Sequence, residues 1–434
     1  MSKRVVIVGA GIIGLCCAHY LRREGHDVLV VDADKESRNG TSFGNAGMIV
    51  PSHFVPLAAP GVIEQGLRWM RDPMSPFYVK ARFAPQFLRW GYSFWRASSQ
   101  TRAERAAPLL LALNLASRDE YLRLESLIPG GFGLEGNGLL MLCATEHGLA
   151  EEAVVAVRAR ALGLDAAVLG REELSALEPD TALNVVGAVH YRSDAHLDPG
   201  LFMQRLQRSL ADDGVEFRWD TRIDALESRN GELTGVRSGS EVIACDHLVL
   251  AAGAWSARLA GEAGARLLIE PGKGYSMTVA DGPVRLRTPA ILSEARVAVS
   301  PLGGRLRVGG TMELSGFDES DSEPRVRGII ASALRYLPDL DKAALEAAPR
   351  WRGMRPCTPD GLPYLGPTRR YPNLIIATGH AMMGVSLAPI TGSLVADMVG
   401  GRRPAIDIGR LDPHRHQRTR AAANDHHDRR VDAA

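Results

Sequence analysis

The first residues able to do chemistry are the glycines of Gly9-Ala10-Gly11-Ile12-Ile13-Gly14, a GxGxxG pattern. Each glycine has a task at a pyrophosphate. Gly9 permits a tight turn, Gly11 lets the backbone approach the phosphates, and Gly14 lets a helix pack closely on a strand. Ile12 and Ile13 open that helix, whose free N–H groups favour an anion. Asp32, followed by Ala33, ends the next apolar run and can accept hydrogen bonds from a ribose diol. An acid there disfavours a 2′-phosphate and so argues against NADP, while FAD and NAD both remain open on this motif. A second unusual stretch is Thr41-Ser42-Phe43-Gly44-Asn45-Ala46-Gly47-Met48, too rich in small residues for an ordinary core element.

The elements that must position these residues are legible around them. Val5–Val8 is a β-branched run of the kind buried on both faces of a parallel sheet. Ile12, Leu15, Ala18 and Leu21 form the apolar side of a helix that Gly25 ends. Val28–Val31 is the second strand. Far downstream, His247–Ala251 reads as a buried strand running into a small-residue turn with Ala252, Gly253 and Trp255. Asn373–Thr378 is another strand, followed by Gly379 and His380 and by a helix start at Met383-Gly384-Val385. Such strand-to-helix junctions expose N–H groups to an anionic ligand edge. A simple NAD enzyme would continue with alternating strands and helices, and this chain does not. The expected fold class is therefore α/β, with a Rossmann-like nucleotide-binding domain at the start of the chain and a further α+β part. Residues 263–315 alternate apolar and polar with a hairpin at Gly303-Gly304, which predicts antiparallel sheet. Glu323–Leu337 predicts an amphipathic helix.

Composition bounds the function. At 434 residues two domains are expected. A net charge of +1 gives no reason to expect nucleic acid. Five scattered cysteines without a CxxC argue against a disulfide framework or zinc and fit a reducing cytoplasm. No secretory signal is visible, and Ala106–Ala116, taken as the longest apolar helical run, is too short to span a bilayer. Residues 66–105 interleave eight Arg and Lys with aromatic residues. This pattern suits peripheral contact with an anionic membrane face, or equally helices packed on the core with solvated charges. The His- and Arg-rich tail, 411–434, is expected to be disordered.

Taken in order, GAGIIG, TSFGNAG, VLAAGAWS, WRGMRPCTPDGLPYLG and NLIIATGHAMMGVSLAPITG resemble the glycine oxidase/D-amino-acid oxidase superfamily of FAD-dependent oxidoreductases. The chain is closest to its D-amino-acid dehydrogenase branch. The resemblance implies an FAD domain built from 1–88, 196–262 and 351–410, and a substrate domain from 89–195 and 263–350 that roofs the flavin. It implies that Ser42, Asn45, Ala46, Gly47 and Met48 run against the cofactor. Ala252, Gly253, Trp255, Gly379 and His380 would do the same, with Gly384 and Val385 at the helix end that faces the flavin C2 carbonyl. FAD is expected to be held without a covalent bond, because the cysteine used for attachment in sarcosine oxidases has no counterpart in register.

The resemblance also implies the reaction. A D-amino or cyclic D-imino acid would lose its α-hydrogen as hydride to flavin N5, leaving an imine. Arg355 matches the arginine that grips the substrate carboxylate, and Tyr275 is a second candidate for that carboxylate. His53 is a candidate for a polar substrate group. Arg307 falls where oxidases carry a lysine that helps oxygen react, which favours a quinone or another electron carrier as acceptor. GNAGMIVPSHFVPLAAPG looks most like the hydroxy-D-proline dehydrogenase type, so cis-4-hydroxy-D-proline or D-proline is the expected substrate. A broad D-alanine type, a glycine/sarcosine-type oxidase and an FAD subunit of a heteromeric dehydrogenase stand as alternatives. The expected location is cytoplasmic, at the inner face of the membrane if residues 66–105 dock there.

Overall fold

The structure, a computed structural model, describes residues 1–280, 282 and 284–417. Val5–Val8 does lie inside a sheet. The six strands run in the order Tyr364–Pro367, Leu374–Thr378, His247–Leu250, Arg4–Val8, Asp27–Val31, Glu216–Arg218. All are parallel except the antiparallel edge strand Tyr364–Pro367. Three distant parts of the sequence thus build one sheet, as the scattered nucleotide motifs require. The opening helix, Ile12–Arg23, lies against the closing helix, Gly384–Val399, so closely that a Cβ on Gly392 would meet the Cys16 backbone at 2.6 Å. The segment Ala381–Val399 has mean hydropathy 1.4 and is long enough to cross a bilayer, which corrects the expectation that Ala106–Ala116 is the longest apolar run. Two-thirds of it is buried against the opening helix and the 28-residue helix Gln100–Leu127, the position of a core helix.

The second sheet runs in the order Arg350–Cys357, Glu270–Ala280, Arg305–Leu314, Val297–Pro301, Ala290–Leu292, Leu139–Cys143, Gly187–Tyr191, Ala166–Gly170, with Phe77–Val79 added beside Arg305–Leu314. Gly303 and Gly304 both have positive φ and make the hairpin turn between two of its strands. The helix expected over 323–337 is Glu323–Tyr336. Two strands cross the boundaries drawn from sequence. Arg350–Cys357 pairs along its length with Glu270–Met277, and Phe77–Val79 pairs with Met312–Leu314, so both belong to the second sheet although they fall in segments assigned to the FAD domain.

The tail also departs from expectation. Leu411 is fully buried, Arg415 donates to both carboxylate oxygens of Asp360 at 2.8 and 3.0 Å, and the His416 ring meets the Tyr364 hydroxyl at 3.0 Å. Its charged side chains find buried partners, which composition does not reveal. The rest of the expected disorder, 418–434, lies outside the described residues.

Candidate active site

Between the two sheets lies a cavity of about 1940 Å³. Its floor is the glycine loop. Gly9 has φ +110°, and a Cβ there would sit 2.5 Å from the Ala251 carbonyl oxygen. A Cβ on Gly14 would sit 1.8 Å from the Gly9 carbonyl oxygen, so that position is closed by packing. Gly11 differs, since its nearest neighbour would be the Ser42 hydroxyl at 3.7 Å and it otherwise borders the cavity. The opening helix begins there without a side-chain cap, and the closing helix begins at Gly384 without one. Both N-termini border the cavity together with Ile12, Ile13 and Val385. Apart from Ile12 N, which donates to the Ser42 hydroxyl, these two helix ends offer N–H groups and positive dipole charge to an anionic ligand. Asp32 and Ala33 also line the cavity, and the Asp32 carboxylate already accepts from Ala10 N at 2.6 Å and Asp34 N at 2.9 Å. A carboxylate has about four lone-pair sites, so two remain for a diol. A long cavity with a glycine opening, two helix ends and an acid fits the dinucleotide that the resemblance implies.

Arg38 was not found from sequence. Its guanidinium donates to the Ala10 carbonyl and lies 4.3 Å from the Trp219 ring centroid, at the same end as Asp32. Burial holds its pKa below the ordinary arginine value despite the neighbouring Asp32. The only signal in the sequence was a cation six residues after the acid, which is too common to single out.

The stretch Thr41–Met48 forms one wall. Ser42 accepts from Ile12 N at 3.2 Å, and the Asn45 side chain accepts from Gly47 N at 2.9 Å. Ser42, Asn45, Ala46 and Met48 line the cavity. The smallness of Gly44 is explained by Trp351, which a Cβ there would strike at 1.9 Å. Trp351 in turn donates to the Asn39 carbonyl. Arg307, expected at the place of an oxygen-activating lysine, lines the cavity. Its guanidinium donates to the Phe43 and Asn45 carbonyls at 2.9 and 2.6 Å and so ties the wall to the roof.

The roof carries Arg355. Its Nη1 donates to the Thr311 carbonyl at 2.7 Å, and its guanidinium covers Gly274, where a Cβ would clash at 2.1 Å. Thr311 has φ +70°, a strained conformation inside a strand. Arg355 lines the cavity and makes no ion pair among the described residues. Burial lowers its pKa from the ordinary arginine value with little opposing charge. A desolvated guanidinium without a carboxylate is costly unless a ligand supplies one.

Tyr275 also lines the cavity, but its hydroxyl is already engaged. Its hydroxyl donates to Glu313 at 3.2 Å and accepts from Ser322 N at 3.1 Å, which commits it to the buried Lys273–Glu313 pair on the other face of the roof. Ser276 lines the cavity too and donates to the Gly44 carbonyl at 2.9 Å. The two alternate because successive strand side chains point to opposite faces. His53 lines the cavity half-buried, with its Nδ1 3.0 Å from the Ser52 hydroxyl. Burial and then Arg296 lower its pKa to about 4, so the ring is neutral near pH 7. His380 lines the cavity with its ring on the Thr391 hydroxyl at 3.0 Å, and burial alone lowers its pKa to about 3. Ala252, Gly253 and Trp255 line the same cavity from the strand end His247–Leu250. Gly47 and Gly379 do not reach it. Their positive φ values and backbone or side-chain neighbours, Leu197 and Thr358, make them turn residues that position the wall, and Gly14 acts by packing. None of the five cysteines lines the cavity.

Comparison with known proteins agrees with this arrangement. The family model described as DAO, FAD dependent oxidoreductase, matches residues 4–398. A D-amino acid dehydrogenase of Granulibacter bethesdensis is 34% identical over 412 residues, covering 93% of this chain and 97% of that one. A D-amino acid dehydrogenase of Rhizorhabdus wittichii is 35% identical over 414 residues, covering 94% and 99%. Among solved structures, glycine oxidase of Geobacillus kaustophilus superposes with a TM-score of 0.76 at 26% identity, covering 96% of this chain and 100% of that one.

Proposed function

This chain belongs to the DAO family of FAD-dependent oxidoreductases, and from that membership we propose that it is a dehydrogenase of D-amino or cyclic D-imino acids. Bound FAD supplies the hydride acceptor. The observation that carries the substrate class is Arg355, a desolvated cation over the cavity with no carboxylate partner among the described residues. It would take the substrate carboxylate through its planar fork, fixing the α-carbon in the cavity. Trp351, Ser276 and Arg307 hold the wall against the roof, so the bound acid meets a pre-formed surface. The relatives named D-amino acid dehydrogenase support an amino-acid donor of D configuration. Resemblance of the 44–61 stretch favours cis-4-hydroxy-D-proline or D-proline within that class. FAD is held without a covalent bond in this reading, which agrees with the absence of cysteine from the cavity wall.

The electron acceptor is proposed to be a quinone or another carrier that approaches through the cavity mouth. Leu67, Trp95, Trp255, Phe317 and Met382 are exposed there and also line the cavity. Leu67 and Trp95 of this apolar rim belong to the basic stretch 66–105, a combination that suits an anionic membrane face on the cytoplasmic side. Anaerobic bleaching of the bound flavin by cis-4-hydroxy-D-proline, D-proline, D-alanine, sarcosine and glycine, followed by air, tests the reading. The expected result is bleaching by the cyclic D-acids and slow recovery in air. Bleaching mainly by D-alanine would move the substrate to the broad type, and rapid recovery would make the protein an oxidase.

A further inference from the structure

An amino acid reaches the cavity at neutral pH as an ammonium ion, and it must lose a proton before its α-hydrogen can leave as hydride. Among the described residues around the cavity, one chain of hydrogen bonds reaches the wall of a second cavity. His53 borders the cavity and its Nδ1 is 3.0 Å from the Ser52 hydroxyl. Ser52 is buried and its hydroxyl donates to Asp194 Oδ2 at 2.5 Å, while Ser52 N donates to Asp194 Oδ1 at 3.0 Å. Asp194 is buried too, yet it forms part of the wall of a second, smaller cavity of about 450 Å³. We propose that His53, Ser52 and Asp194 form a proton relay that carries the substrate's ammonium proton from the main cavity to the smaller one. The proposal rests on the amino-acid reading of the main cavity.

The polarity of the chain is fixed by its donors. Ser52 has a single hydroxyl hydrogen and gives it to Asp194, so His53 Nδ1 must be the N–H donor to Ser52 and Nε2 carries the lone pair. The ammonium gives its proton to Nε2 and becomes a neutral amine. Nδ1–H passes to Ser52, the Ser52 hydrogen passes to Asp194, and Asp194 becomes a neutral acid that gives the proton to water in the smaller cavity. One proton is transferred and no electron moves. Exchange with water in the main cavity restores the imidazole tautomer.

The charges facing the relay suit this direction. Arg296 faces His53 and, with burial, keeps the ring neutral, so the ring conducts and does not hold the proton. Burial raises Asp194 to about 7, against the hydrogen bonds from Ser52 and the charge of Arg118. It can therefore both accept and release a proton near neutrality. Glu125, Arg118 and Arg192 line the smaller cavity beside it, and Tyr191 and Glu152 lie on the main-cavity side.

The test uses holoenzyme with flavin content matched by absorbance, in anaerobic stopped-flow bleaching by the amino acid that bleaches wild type best. Asp194→Asn keeps an oxygen for Ser52 N–H but cannot take a proton, and Ser52→Ala breaks the chain. Both are expected to bleach about 10²-fold slower just above pH 7, where Asp194 is largely ionised and can accept and the substrate still arrives as ammonium, the scale of lost general-base help. The deficit should shrink towards pH 9 or so, where more substrate arrives as free amine, and Asp194→Glu should restore part of the rate. Infrared difference spectra of resting wild type between acid and alkaline pH should show a protonated carboxyl band titrating near neutrality and missing in Asp194→Asn. Wild-type bleaching rates in both variants at every pH, or a deficit equal at every pH, would overturn the relay. If none of the amino acids bleaches wild type, the amino-acid reading itself fails, which is a distinct outcome.

Discussion

At the scale of the residue, Arg355 and Tyr275 make opposite predictions although both were candidates for the same carboxylate. Arg355 faces the cavity with its charge unpaired among the described residues, whereas the Tyr275 hydroxyl is spent on Glu313 and Ser322. Arg355→Ala should raise KM for the amino acid by roughly 10- to 100-fold, the loss of a charge-assisted bond of about 1.5–3 kcal/mol. Tyr275→Phe should leave KM unchanged and lower stability by about 1–2 kcal/mol, because it strands the Ser322 N–H and leaves Glu313 with Lys273 alone inside the roof. Steady-state assays with an electron-accepting dye, beside urea unfolding, separate the two. A KM effect in Tyr275→Phe would return that residue to the site. Arg355 was legible through its motif. The engagement of the Tyr275 hydroxyl was not legible, because alternation along a strand indicates that Tyr275 and Ser276 face opposite ways without indicating what either side chain meets. The Ser52–Asp194 bond joins residues 142 apart in sequence, and no local pattern announces it.

At the scale of the element, the opening turn tests what each glycine is for. Gly9 lies at φ +110° against the Ala251 carbonyl, while Gly11 meets only Ser42 at ordinary contact distance. Gly9→Ala should therefore destabilise the apoprotein by about 1–3 kcal/mol through backbone strain, with the clash added. Gly11→Ala should leave apoprotein stability within about 0.5 kcal/mol. It should instead lose most of the Tm gain on adding FAD, a gain worth about 2.7 kcal/mol at a ligand excess of 100 Kd. Thermal melts with and without FAD give both quantities, and equal behaviour of the two variants would refute the division of roles. Strands and helices of the first sheet could be read because their periods and end signals are local. The roof could be read only as alternating sheet. Its partners along Arg350–Cys357 lie 73 to 87 residues away, from Met277↔Arg350 to Glu270↔Cys357, and the strained Thr311 that presents its carbonyl to Arg355 has no local cue. Pairing over such separation is set by the whole fold, as is strain at a site.

At the scale of the whole molecule, the groove depends on a tie that composition concealed. Arg415 closes a bidentate pair with Asp360, next to Gly361 in the cavity wall, and Leu411 beside it is buried in the first core. A tail rich in Arg and His reads as unstructured when its charges are counted, because the acid that satisfies them lies 55 residues earlier. Burial would raise the Asp360 pKa, but the charge and hydrogen bonds of Arg415 outweigh it and hold it below the ordinary carboxylate value. A depressed folded-state pKa means stabilisation that is present above the unfolded value of about 3.9 and lost as pH falls through the folded one. Arg415→Ala should thus cost about 3 kcal/mol at neutral pH, since it leaves a largely buried carboxylate without its partner. The penalty should shrink below about pH 4, where Asp360 can protonate in the variant and the wild-type pair is itself being lost. Urea unfolding of both proteins at the two pH values measures it. A penalty that does not change with pH would mean that Arg415 acts by packing against Tyr364, whose ring its guanidinium covers at 3.9 Å, and that its charge contributes little.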